Sequence, residues 1–394
     1  MMKSKNLDQI LKDSSGNNFN LIRLLLAVAV LYNHSFILFN PIGKNDVFSY
    51  VFNIFDAGIF AISGFFLISS MLLSQSLYQT KDRFKFILKR IFRIFPALII
   101  CVILTVFIFG ALGTKLSLHE YYSSRGTFRY LYDVFLNNDI FAYSIPGSFE
   151  SNFYPLVING SLWTLSLELL CYISLFTILS TIFYFTSNPT HRIRKIILTA
   201  LVVYLIFYIF SRPLLADRLP KLFMGGAVNF EAMSHPIRLY IFFSSGMVLY
   251  FLRKYIPVNA IILFVLLGLL ALKHFFAGTL ATPFIEYVNV MYIILFLAGF
   301  APLHRFNWKI DPSYGIYLYG WPVQQVVARY SDLTSYQGLF VSLPIVALLG
   351  ILSYIIIERP ALNKAGKLAL AFKSSKEPVK VKSGENFEYS REPR

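Results

Sequence analysis

The chain has 394 residues, is 56% hydrophobic, carries a formal net charge of +16 and has a mean hydropathy of +0.61. Soluble domains run nearer about 45–50% apolar and lack long apolar runs, so an ordinary water-soluble globule is excluded. No RNA- or DNA-binding motif accompanies the charge, and no nucleic-acid partner is expected.

In chain order, windows of about 16–24 largely apolar residues predict about ten membrane spans. They lie near residues 21–39, 51–73, 91–112, 162–185, 193–210, 237–252, 256–272, 285–303, 314–328 and 339–357. The predicted fold is an all-α polytopic membrane protein. Most of the 36 Lys and Arg fall in segments that become cytoplasmic if the amino terminus is inside, among them KDRFKFILKR, HRIRK and the tail. That asymmetry follows the positive-inside rule and puts both termini in the cytoplasm. The expected organisation is a cytoplasmic segment over 1–20, a transmembrane domain over 21–358, and a basic, disordered cytoplasmic tail over 359–394. No cleavable signal peptide is expected. Cys101 and Cys171 fall within spans and read as packing residues rather than a disulfide or metal cluster. P-loop, G-x-G-x-x-G, G-x-S-x-G and H-E-x-x-H signatures are absent, which weakens ATP-driven transport, dinucleotide chemistry, serine hydrolysis and zinc proteolysis. Asn159-Gly160-Ser161 matches a glycosylation acceptor, a triplet common by chance.

The first span contains RLLLAVAVLYNH, with Arg23 and His34 eleven residues apart. Eleven steps of about 100° come within about 20° of three turns, so both lie on one face, about 16 Å apart. With Arg23 at the interface, His34 is expected near mid-membrane. Ionisable residues in hydrocarbon are costly and lean functional. Neutral imidazole is suited to take a proton from a hydroxyl nucleophile; the plain alternative is a histidine bonded between helices for packing. Further on, Lys85, Lys89, Arg90 and Arg93 form a basic stripe where a helix enters the membrane. Guanidinium groups bind phosphate bidentately, while anchoring to anionic headgroups is the competing reading. Trp163 is expected at the outer interface, and Glu168, deeper, must pair or be protonated. Tyr314, Tyr317 and Tyr319, with Gln324 and Gln325, add polar groups to the ninth span, most of them explicable singly as packing.

Taken in order, Arg23-x10-His34, FAISGFFLISSMLL (60–73), Arg90-x-x-Arg93 with Pro96, SLWTLSLEL (161–169), SYGIYLYGWPV (313–323) and IERP (357–360) resemble the bacterial integral-membrane acyltransferases of family 3. The resemblance covers about residues 20–360. It implies ten transmembrane helices in the bacterial inner membrane. It also implies acyl transfer, commonly of acetyl, from acyl-CoA to hydroxyls of surface or exported glycans. Acyl-CoA is then a co-substrate, with no permanently bound cofactor and no metal, and a glycan or lipid-linked saccharide is the acceptor. By the same resemblance His34 is central to transfer and Arg23, Arg90 and Arg93 are important, the Arg pair at the CoA side. Glu168 joins His34 as a catalytic candidate, and Trp163, Tyr314 and Tyr317 are substrate-binding candidates. Many members carry a histidine just before Trp-Pro in the ninth span; here that position is Gly320, which places more weight on His34. The rival readings are a transporter or flippase of a lipid-linked sugar or other small solute, and a non-catalytic partner in polysaccharide assembly. The oligomeric state is not legible.

Overall fold

A computed structural model describes residues 5–374 apart from 14–15, 40–45, 81, 136–143, 186–229, 278, 280 and 307–309. Helices dominate: α1 (Leu7–Lys12), α2 (Phe19–Leu38), α3 (Val47–Val51), α4 (Ala57–Thr80), α5 (Arg83–Leu104), α6 (Leu118–Ser123), α7 (Arg125–Phe135), α8 (Trp163–Phe185), α9 (Phe230–Leu252), α10 (Ala260–Ala271), α11 (Ala281–Gly299), α12 (Ser313–Arg329), α13 (Ser335–Ser353) and α14 (Arg359–Ser374). Among the described residues, six helical stretches are long and apolar enough to cross a membrane. The chain is a helical multi-pass membrane protein. The span expected over 193–210 lies outside the described residues.

Two expectations are corrected. The span expected over 51–73 begins only at Ala57, because residues 52–56 form a connection clamped from outside. Glu286 accepts from the Asn53 and Ile54 amides at 2.8 and 3.1 Å, and Lys273, itself buried, bonds Val51 O, Asn53 Oδ1 and Glu286. Those bonds satisfy backbone groups that would otherwise continue the helix. The tail is not disordered from 359: α14 continues to Ser374, packs along α5, buries Ala365 and Ala369, and sets Phe372 4.2 Å from Phe84. Alanines every fourth residue make that close face. The amino-terminal segment also packs, with Leu7, Ile10 and Leu11 buried and Lys5–Asn6 paired antiparallel to Pro257–Val258.

The helices around the site are α2, α4, α8 and α12. α2 packs on α4 and α12, and α12 on α13. A Cβ on Gly315 would lie 2.8 Å from Gly350 Cα, so only paired glycines let α12 and α13 approach this closely. A π turn at Thr105–Phe109 carries α5 on to Gly113, where the Thr105 hydroxyl donates back to Cys101 O at 2.8 Å.

Candidate active site

Four helices each present residues at two levels, and the levels are two cavities. The inner one, toward the N-terminal half of α2 and about 50 Å³, is lined by Arg23 of α2, Phe65 and Ser69 of α4, Thr164 and Glu168 of α8, and Tyr314 and Tyr317 of α12. The outer one, toward the C-terminal end of α2 and about 660 Å³, is lined by Asn33 and His34 of α2, Trp163 of α8 and Trp321 of α12, together with Asp56 and His235. The outer cavity falls within the range of typical small-molecule sites, about 300–1,000 Å³, whereas the inner one is a narrow space well below it. Arg23 and His34 share a helix face yet open into different cavities. His34 lies one turn from the end of α2 at Leu38.

Beside the inner cavity, four charges close a chain. Arg23 Nη1 donates to Asp311 Oδ2 at 2.6 Å, Arg93 Nη2 to the same oxygen at 2.9 Å, and Arg93 Nη1 to Glu358 Oε2 at 3.0 Å. Ser313 caps Asp311 Oδ1, and Ser353 donates to Glu358 Oε1. Burial alone would raise the Asp311 carboxyl, but the Arg23 and Arg93 guanidiniums hold it below its ordinary value. The planar fork of Arg93 suits this double bridge. Both of its terminal nitrogens donate to carboxylates, Nη2 to Asp311 and Nη1 to Glu358. Arg90 differs: its Nε is buried with no hydrogen-bond partner among the described residues, and its guanidinium lies 5.8 Å over the Phe86 ring.

Glu168 accepts from the Tyr172 hydroxyl and faces the inner cavity with Arg23. The structure does not bring it together with His34: Glu168 lines the inner cavity and His34 the outer. Tyr314 donates to Ile94 O at 3.0 Å, and Tyr317 to Ser161 O at 2.6 Å while also bonding Thr164. Trp163, expected to bind substrate, lines the outer cavity near His235.

His34 is buried, its ring edge-on to Trp321 at 4.8 Å, and its Nδ1 has no hydrogen-bond partner among the described residues. Trp321 is itself fixed, because Nε1 donates to Val157 O at 3.0 Å and Gly160 leaves no room for a Cβ nearer than 2.8 Å to the ring. Gln325 donates to Tyr154 O and Val157 O and so holds the loop that roofs this cavity. At Gly320 a Cβ would meet Leu31 Cδ1 at 3.1 Å, so a histidine there would press on α2 one turn before His34. Asn159, the acceptor-like asparagine, is buried and donates to Leu318 O, so it is closed to glycosylation. Both cysteines are buried and free, as packing residues would be. No group of three or more His, Cys, Asp or Glu able to hold a metal occurs among the described residues.

Reasoning from sequence missed Asp56, His235 and Asn33 at the outer cavity, and the partners Asp311 and Glu358. Asp56 accepts from the Ile59 amide at 2.6 Å at the start of α4. An acidic cap on a membrane helix was the available signal. Glu358 stood in the IERP motif without an assigned role.

The chain matches the family model for the acyltransferase domain, family 3, over residues 17–359. It belongs to acyltransferase family 3. The protein is therefore an acyltransferase. It is 29% identical over 371 residues to the "O-acetyl transferase" of Shigella phage Sf6, spanning 90% of this chain and 98% of that protein. It is 30% identical over 177 residues to "Nodulation protein 10" of Rhizobium leguminosarum bv. viciae, spanning 41% of this chain and 44% of that protein. No solved structure matches.

Proposed function

We propose that the protein transfers an acyl group, acetyl in the first instance, from cytoplasmic acyl-CoA to a hydroxyl of a surface or exported glycan. It would do so across the bacterial inner membrane, with ten spans and both termini in the cytoplasm. The observation that carries this reading is the pair of stacked cavities on α2, α4, α8 and α12, one beside a guanidinium cluster and one holding His34. The name of the Sf6 relative supports acetyl as the group. The basic residues around Arg83–Arg93 support the inner cavity as the cytoplasmic one.

In this reading Arg90, with Lys89 beside it, meets CoA phosphates. Arg23 and Arg93, tied to Asp311 and Glu358, shape the mouth of the donor cavity, and Arg23 with Tyr314 and Glu168 orients the pantetheine arm. In the outer cavity Trp163 and Trp321 offer faces to a sugar ring, and Asn33 and Asp56 offer hydrogen bonds to its hydroxyls. His34 removes the acceptor hydroxyl's proton as the oxygen attacks the thioester carbonyl carbon. The C–O bond forms and the C–S bond breaks. The electron pair leaves on sulfur, and the proton passes from imidazolium to thiolate. An ester, free CoA thiol and neutral His34 remain.

The test is labelled acetyl-CoA added to inside-out membrane vesicles carrying the wild type or His34→Ala at equal protein levels. Label should enter ester-linked glycolipid or polysaccharide with the wild type alone. Equal transfer by His34→Ala would remove the base from this mechanism.

A further inference from the structure

The two cavities meet on one side chain. Among the described residues Ile62 of α4 is the one that lines both, and it is buried. On its inner side lie Phe65 and Tyr317, and on its outer side Ile59 and Trp163. The rest of the partition is pinned by hydrogen bonds. Tyr317 donates to Ser161 O at 2.6 Å and bonds the Thr164 hydroxyl, joining α12 to the first turn of α8. Ile62 carries no polar group and is held only by packing; its χ1 is stiff in a helix, so its ethyl end, turning about χ2, is the part that can yield while the neighbours stay fixed. An apolar constriction between wetter spaces excludes water without needing a charge.

From this arrangement we infer that Ile62 is a specificity-determining residue, which selects the acceptor hydroxyl over water by closing the passage between the two cavities. The inference rests on the acyl-transfer reading above. The outer cavity is lined by Asn33, Asp56 and His235 and accommodates water as readily as a sugar. His34 would activate either. Water attack on the thioester carbonyl forms a carboxylate, breaks the C–S bond and releases CoA thiol and one proton, so the donor is wasted. Excluding water from a reactive acyl donor is a recognised role of closed sites. With Ile62 in place the thioester stays on the inner side until an acceptor fills the outer cavity and the side chain yields. With Ile62 shortened, water from the outer side reaches the carbonyl at all times.

The experiment uses the full chain in inside-out vesicles with [14C]acetyl-CoA, measuring ester-linked label and free [14C]acetate in the same sample. The variants are Ile62→Ala, Ile62→Val and the double variant Ile62→Ala with His34→Ala, matched for protein in the membrane. The ratio of acetate to ester should rise about tenfold or more in Ile62→Ala and by less in Ile62→Val. The extra acetate should vanish in the double variant, because the leak needs His34. Ile62→Val removes one carbon only and keeps the test informative if Ile62→Ala folds poorly. A wild type that makes ester while both single variants keep its ratio would overturn the gate and leave acyl transfer standing. A wild type that makes no ester from acetyl-CoA would count against the transfer reading itself, and the gate would fall with it.

Discussion

Arg93 and Asp311, 218 residues apart in sequence, meet at 2.9 Å, and the same Asp311 oxygen takes Arg23 at 2.6 Å. One carboxylate thus ties α2, α5 and the start of α12 together. Two guanidiniums left without it would be buried with a single counter-charge between them. Asp311→Asn should therefore cost about 3–5 kcal/mol of stability. Thermal unfolding of the purified chain in detergent measures it, and an unchanged midpoint would show that the pair is not holding the helices.

The same network sets a pH dependence. The Asp311 carboxyl lies below its ordinary value of 3.8 in the folded protein. A depressed acid stabilises the fold in full above its unfolded value and loses that contribution as pH falls through the folded value. The contribution of Asp311 to stability should accordingly be complete from neutrality down to about pH 4 and be lost below it. In Asp311→Asn the part of this acid limb due to Asp311 should disappear, as thermal midpoints across the acid range would reveal.

Arg93 serves two carboxylates with one planar fork, a geometry that lysine cannot copy. Arg93→Lys should behave nearly as badly as Arg93→Ala. Pairing Arg93→Met with Glu358→Gln should recover stability relative to the sum of the single changes, with a coupling of about 1–3 kcal/mol. A double-mutant cycle on unfolding midpoints would expose a purely additive result, and additivity would mean that the bridge contributes nothing of its own.

Gly160 has no room for a side chain against Trp321, and Trp321 carries the edge of His34. Gly160→Ala should displace the indole and with it the imidazole. We expect kcat to fall by about tenfold or more with little change in the acyl-CoA KM, because a displaced base loses transition-state contacts. Steady-state kinetics on labelled acetyl-CoA separate the two. A raised donor KM at unchanged kcat would place Gly160 on the donor side instead.

His34→Ala should reduce transfer by about 10²–10⁴-fold at normal protein levels, the range that general-base catalysis spans. Arg90→Ala should chiefly raise the acyl-CoA KM, since its guanidinium is not committed to a carboxylate as those of Arg23 and Arg93 are. Initial rates over a range of acyl-CoA concentrations test both at once.

The apolar runs alone determined that this chain is a helical multi-pass membrane protein, because lipid admits only helices and closed barrels, and continuous apolar runs of this length fit helices rather than barrel strands. The motifs quoted in order were enough to point to the acyltransferase family, and the spacing of Arg23 and His34 put them on one face of one helix. What the sequence did not carry was pairing at a distance. Nothing in the local pattern links Asp311 to Arg23 and Arg93, or Glu358 to Arg93, since those partners come from different helices and meet only when α2, α5, α12 and α14 assemble. Periodicity likewise gave no sign that Glu168 and His34 open into different cavities. Depth along each helix and the bulk of Ile62 between them decide that, and both are properties of packed helices. The start of α4 was misplaced for the same reason. Glu286 and Lys273, more than 200 residues away, hold residues 51–54 out of the helix, and no apolar window reads such a clamp. Hydrophobic pattern is a local property and fixes which segments enter the membrane; the site is made of contacts between segments, which only the tertiary structure decides.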